Sequence, residues 1–172
     1  PGTDNLYGGN IVEKGGNDIS IANAIQNPEK IYNDGNSWRT NYSYFNLWSM
    51  NTTTQQETTN TIVKTIYDPN PVGYHMPPKN TFSGITTTGV IANANNNRAQ
   101  INALGSWDDG WHFYTKDATS PSTIYYPAIG SRTFSNGNLY GVKSRGYYWT
   151  GIPDSEGAGC ALDIRNDIVN PF

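Results

Sequence analysis

An α+β fold, with short helices early and a twisted antiparallel sheet joined by long loops late, is the architecture this 172-residue sequence predicts. Three observations carry it. Helix-boundary signals fall in the first half: Asp18 stands where a cap belongs, Asn27-Pro28 ends that segment, and Pro77-Pro78 opens another. Short aromatic and β-branched runs separated by Gly, Ser, Asn and Pro fill the second half. Aromatic residues are 13% of the chain and all hydrophobic residues only 35%, so the core is built from Tyr, Trp and Phe as much as from aliphatics.

Residues 1–18 are rich in Gly and Asn and read as a loosely ordered lead-in to a single domain over 19–172. Asp18 caps a short helix through Ile19, Ala22, Ala24 and Ile25, and Ile31-Tyr32 fits a short strand. The turn Asn33-Asp34-Gly35-Asn36 leads to an aromatic cluster, Trp38, Tyr42, Tyr44, Phe45 and Trp48, with Leu47 and Trp48 expected in the core. Met50 to Asn60 is a Thr/Gln/Asn tract too poor in apolar groups to offset its ordering entropy, hence an exposed loop. Ile62, Val63, Ile66 and Tyr67 predict a strand, and Pro77-Pro78 a helix with Phe82 and Ile85 on its buried side. Asn93 to Arg98 is a polar loop. Strands follow at Trp111–Thr115, Thr123–Tyr126 and Tyr147–Thr150, the last a core strand. Gly159 to Arg165 alternates Cys160, Leu162 and Ile164 with Ala161, Asp163 and Arg165, which predicts one buried and one exposed face.

Charge removes several function classes. Eleven basic and fourteen acidic residues give a net charge of −3, and no Lys/Arg run occurs, so nucleic acid and anionic membrane surfaces are not expected partners. No apolar run has the length of a membrane span, and the N-terminus lacks a signal-peptide pattern; if the protein is exported, this chain, beginning at Pro1, is expected to be its mature or excised form. A single cysteine, Cys160, excludes an internal disulfide and a multi-cysteine zinc site. It is expected to be a small buried hydrophobe.

Asn27-Pro28, Asn46-Leu47-Trp48, Val63–Pro69, Pro71-Val72-Gly73-Tyr74, Met76-Pro77, Tyr125–Gly130 and Ser144–Trp149 together resemble the Fibrobacter succinogenes major paralogous domain group. The resemblance covers about 19–171. It implies a C-type lectin-like fold on secreted or surface proteins of gut bacteria, including fimbrial tip adhesins. It therefore implies a cell-surface or fimbrial recognition module that binds a host or bacterial glycan or protein and contacts neighbouring subunits. The alternative it leaves is a structural subunit that packs against its neighbours by strand exchange. Two departures stand out. Asn70 occupies a position where many members carry cysteine, so no disulfide carries over, and members continue past the Val169-Asn170-Pro171 segment into a closing strand, so here that strand is expected to be truncated or replaced, with one sheet edge exposed in either case.

Candidate sites follow from chemistry. Asp68-Pro69-Asn70 mimics a lectin calcium loop only superficially, because it precedes a helix start, and Trp149-Thr150-Gly151 stands where Trp-Asn-Asp would be needed. No metal or other cofactor is expected. Neither His75 nor His112 has a partner at metal-ligand spacing, no Gly-x-Ser-x-Gly, phosphate loop or His-Glu-x-x-His occurs, and the acids are too scattered for a glycosidase pair. A non-enzyme is the reading. Sugars bind without metal by stacking on exposed aromatic rings beside amides and hydroxyls, which nominates Trp107, Asp108, Asp109, Trp111, Asn136 and Tyr140 as ligand-binding residues, with Trp38 a further aromatic candidate.

Overall fold

The computed structural model describes residues 12–14, 21–27, 31–33, 46–52, 61–93, 98–116, 119, 122–133, 138–153 and 159–171. Their helical content is one six-residue α-helix, α1 (Ile21–Gln26), and two 3-10 segments, Lys79–Ile85 and Arg98–Gln100. Strand dominates. The α+β expectation is therefore corrected to a mostly β fold of three small antiparallel sheets, and the C-type lectin-like arrangement implied with it is overturned. The reason is local. Pro77-Pro78 does open a helical segment, but Asn80, Thr81, Ser83 and Gly84 are poor α-helix formers. The segment closes instead through i to i+3 bonds, Thr81 N–H to Pro78 carbonyl (3.1 Å) and Thr86 N–H to Ser83 carbonyl (3.4 Å). Among the described residues no helix is long enough to cover a sheet.

Two short strands, β1 (Val12–Lys14) and β2 (Ile31–Asn33), pair in parallel, so three residues of the expected lead-in are in a strand. The strands that build the core come later: β3 (Ala92–Asn93), β4 (Ala103–Leu104), β5 (Gly110–Tyr114) and β6 (Thr123–Pro127). A small hairpin, β7 (Ser131–Arg132) and β8 (Leu139–Tyr140), precedes the long β9 (Arg145–Pro153), β10 (Gly159–Arg165) and β11 (Ile168–Asn170). A four-stranded sheet has the order β3-β11-β10-β9 and a three-stranded sheet the order β4-β5-β6.

The core joins the two larger sheets. Trp111 and Phe113 of β5, Ala103 of β4, Leu162 and Ile164 of β10, Val169 of β11 and Ala92 of β3 form one cluster with Phe82 and Ile101. Tyr126 and Tyr148 extend it, their rings edge-to-face at 4.8 Å. The alternation expected in β10 is observed, with Cys160, Leu162 and Ile164 buried.

One further expectation changes. Ile62–Tyr67 forms no strand: Ile62 is buried, yet Ile66 is 89% exposed, and pairing is limited to an isolated bridge between Ser49 and Lys64. Side chains there compete for the backbone, Thr65 Oγ1 donating to the Leu47 carbonyl and accepting from Tyr67 N–H. The Val169-Asn170-Pro171 segment is itself enclosed, because β11 lies between β3 and β10 with Val169 fully buried.

Candidate functional site

The nominated residues divide between core and surface. Trp111 is core: it is 2% exposed and its Nε1–H donates to the Arg165 carbonyl at 2.8 Å. Its partner in the ladder is Tyr126, which turns the indole toward β10. Trp111→Phe keeps an aromatic ring but removes that donor and leaves a void, so unfolding free energy falls by about 2 kcal/mol in a denaturant titration. Trp107 is half-buried, edge-on to Trp111 at 5.4 Å, and donates from Nε1 to the Lys143 carbonyl at 3.3 Å. It acts as a peg between two loops.

Asp108 and Asp109 are exposed on the turn before β5. Asp109 adopts φ +52° and Lys143, in the facing turn, φ +68°, and their side chains meet at 2.8 Å. The ammonium gains basicity from this contact, yet both side chains are at least half exposed, so the ion pair contributes little stability. Backbone bonds hold the turns together: Ala128 N–H to the Asp109 carbonyl and Lys143 N–H to the Ala128 carbonyl, both 2.7 Å. Asp108 offers its carbonyl to the Tyr125 hydroxyl at 2.8 Å. Thus Trp107, Asp108 and Asp109 do converge, with Lys143 and Tyr125, but as a self-satisfied junction. Asn136 and Trp38 lie outside the described residues. Tyr140 is 52% exposed on β8 and meets another group, the Arg145 guanidinium, 5.4 Å from its ring centre.

That arginine leads to a surface on a strand that the sequence predicts as core. Gly146 and Tyr148 face inward: a Cβ on Gly146 would meet Ile164, and the Tyr148 hydroxyl donates to the Pro127 carbonyl at 2.6 Å. Burial beside Tyr126 and Tyr125 pushes that phenol up to about 12. Strand alternation therefore sends Arg145, Tyr147 and Trp149 to the opposite face, beside Ala161, Asp163 and Arg165 of β10. Arg145 Nη1 donates to the Tyr147 hydroxyl at 3.4 Å. Trp149 is 50% exposed. The benzo part of its indole lies over Gly159, where a Cβ would come within 2.7 Å of Cζ3 and 3.0 Å of Cε3. Only a glycine there lets the ring rest against β10. The missed signal was Arg145, whose charge two residues before Tyr147 marks that parity as the solvent side.

Gly159 also lines a cleft of about 190 Å³ with Leu47, Trp48, Ile152 and Pro153. Leu47 and Trp48, expected in the core, are half-buried walls of this cleft. Clefts that enclose a drug-sized molecule start at roughly 300 Å³, so this one accommodates a single ring or side chain. The exposed ring and the flanking arginine make this face of β9 the candidate site, and Gly159 is the residue that the ring and the cleft share.

Asp68, the buried acid of the Asp-Pro-Asn-Pro segment, accepts from Asn70 N–H (2.8 Å), Asn70 Nδ2 (2.9 Å) and Met76 N–H (2.9 Å) and meets Lys64 Nζ at 3.0 Å. Those donors use its oxygens to brace a loop. Among the described residues no three His, Cys, Asp or Glu side chains converge as metal ligands would. No helix among them is long and apolar enough to cross a membrane. No protein-family description, curated protein or solved structure matches this chain.

Proposed function

We propose that the domain is a non-catalytic recognition module that binds a glycan across the outer face of β9. The single observation behind this reading is Trp149, a half-exposed indole held over Gly159 beside an apolar cleft. A pyranose presents an apolar C–H face, and stacking it on a pre-positioned ring buries both surfaces with little loss of side-chain freedom. Hydroxyls of the sugar then find Tyr147 and the charged groups of the same face. The charge-poor, amide-rich sequence and its motif resemblance favour display outside the cell, on a fimbria or another bacterial surface structure.

Trp149→Ala is expected to lower affinity for a glycan found on an array at least about tenfold, equivalent to 1.4 kcal/mol, by calorimetry. Its melting temperature stays within a few degrees of wild type because the ring is half in solvent. Equal affinity for the two proteins would refute the reading. The companion substitution Trp107→Ala discriminates the junction from the β9 face and is expected to leave affinity unchanged.

The assembly reading has one observation in its favour: among the described residues β9 is an edge strand, paired on one side only with β10. Its edge is tied down at both ends, by Gly130 N–H to the Arg145 carbonyl (2.7 Å) and Gly151 N–H to the Pro77 carbonyl (2.8 Å). The open stretch between them, about Tyr147 to Trp149, is short for strand exchange.

A further inference from the structure

From the charge pattern along β9 we infer that the ligand is an acidic oligosaccharide, its carboxylate held by Arg145 while a neighbouring sugar stacks on Trp149. This rests on the recognition reading above and adds the class of ligand. Arg165, on the same face, is already neutralised: its guanidinium grips Asp163 through Nε and Nη2, and Asp167 adds to the negative field around it. Arg145 is different. Its contacts are a phenol oxygen, Tyr147 at 3.4 Å, and the face of the Tyr140 ring, and among the described residues it has no carboxylate partner. Its stem lies along Gly141, where a Cβ would come within 3.3 Å of the arginine Cβ. A planar guanidinium held by an aromatic face and a packed stem loses little entropy on binding, and its parallel N–H groups match a carboxylate.

Spacing agrees with this assignment. Arg145, Tyr147 and Trp149 are alternate residues on one strand face, so the first and last are separated by about 13 Å of strand. That span suits a short oligosaccharide bridging the two ends, with the Tyr147 hydroxyl between them as donor or acceptor.

The experiment is calorimetry of the intact chain against trigalacturonate and sialyllactose, each paired with its carboxyl methyl ester. The free acid of at least one pair is expected to bind about tenfold more tightly than its ester, with the difference shrinking as salt rises. Arg145→Gln should bring the acid down to the affinity of the ester and leave the ester unchanged. Arg145→Lys, which keeps stem and charge but not the fork, should recover part of the difference. Thermal melts of both variants establish that they fold. Acid and ester binding alike, or Arg145→Gln weakening both equally, overturns the inference. Failure of all four probes to bind also overturns it; if neutral glycans then bind in a Trp149-dependent manner, the recognition reading stands without it.

Discussion

Asp68→Ala should lower the unfolding free energy by about 3 kcal/mol at pH 7 and the melting temperature by on the order of 10 °C. The carboxylate is shielded from solvent and serves four donors, so its removal leaves the Met76 and Asn70 amides and the Lys64 ammonium without their acceptor. Burial alone would raise its pKa. The Asn70 and Met76 amides, the Asn70 side chain and Lys64 outweigh that effect and hold it at about 2, against an ordinary 3.8. Because the folded pKa lies below the unfolded one, the charged form's contribution is complete above about pH 4. It is lost as the pH falls toward 2, by roughly 1–2 kcal/mol. The difference between wild type and variant in denaturant titrations should therefore be largest at neutral pH and narrow in strong acid. A difference independent of pH would show that the loop is braced by packing instead.

Gly110→Ala should be at least as damaging, above about 3 kcal/mol. A Cβ there would stand 2.3 Å from the Tyr126 carbonyl oxygen and 2.9 Å from Pro127 Cα. Both are backbone atoms of the neighbouring strand, so no rotamer relieves the collision and β5 must separate from β6 where Gly110 faces Pro127. The comparison is Gly159→Ala. Its added methyl collides at 2.7 Å with a half-exposed indole that can swing into solvent, so stability changes by less than about 1 kcal/mol while glycan affinity falls. If both substitutions destabilise equally, Trp149 is fixed more firmly than its exposure implies.

Sequence carried the late strands well and the site badly, for physical reasons. Cys160, Leu162 and Ile164 alternate with polar neighbours, and a period of two is hard to satisfy except by a half-buried strand. Trp107 and Trp111 flank one polar turn and look equivalent in sequence. Cross-strand register separates them, since Trp111 faces Tyr126 inside the ladder while Trp107 stays on the loop. Tyr147-Tyr148-Trp149 offers three aromatics in succession, so hydrophobicity cannot report which of them turns inward. Helices were over-read because proline marks where a helix can start without saying whether its face has anything to cover.

The two ties at the ends of β9 have a kinetic consequence. Alternation along an antiparallel strand turns the Gly146 and Tyr148 amides toward β10, and those of Tyr147 and Trp149 toward the free edge. Deuterium should therefore enter β9 in a comb, quickly at Tyr147 and Trp149, slowly at Gly146, Tyr148 and the tied Gly151. A sugar seated on the outer face leaves that comb in place, whereas an added strand fills its gaps.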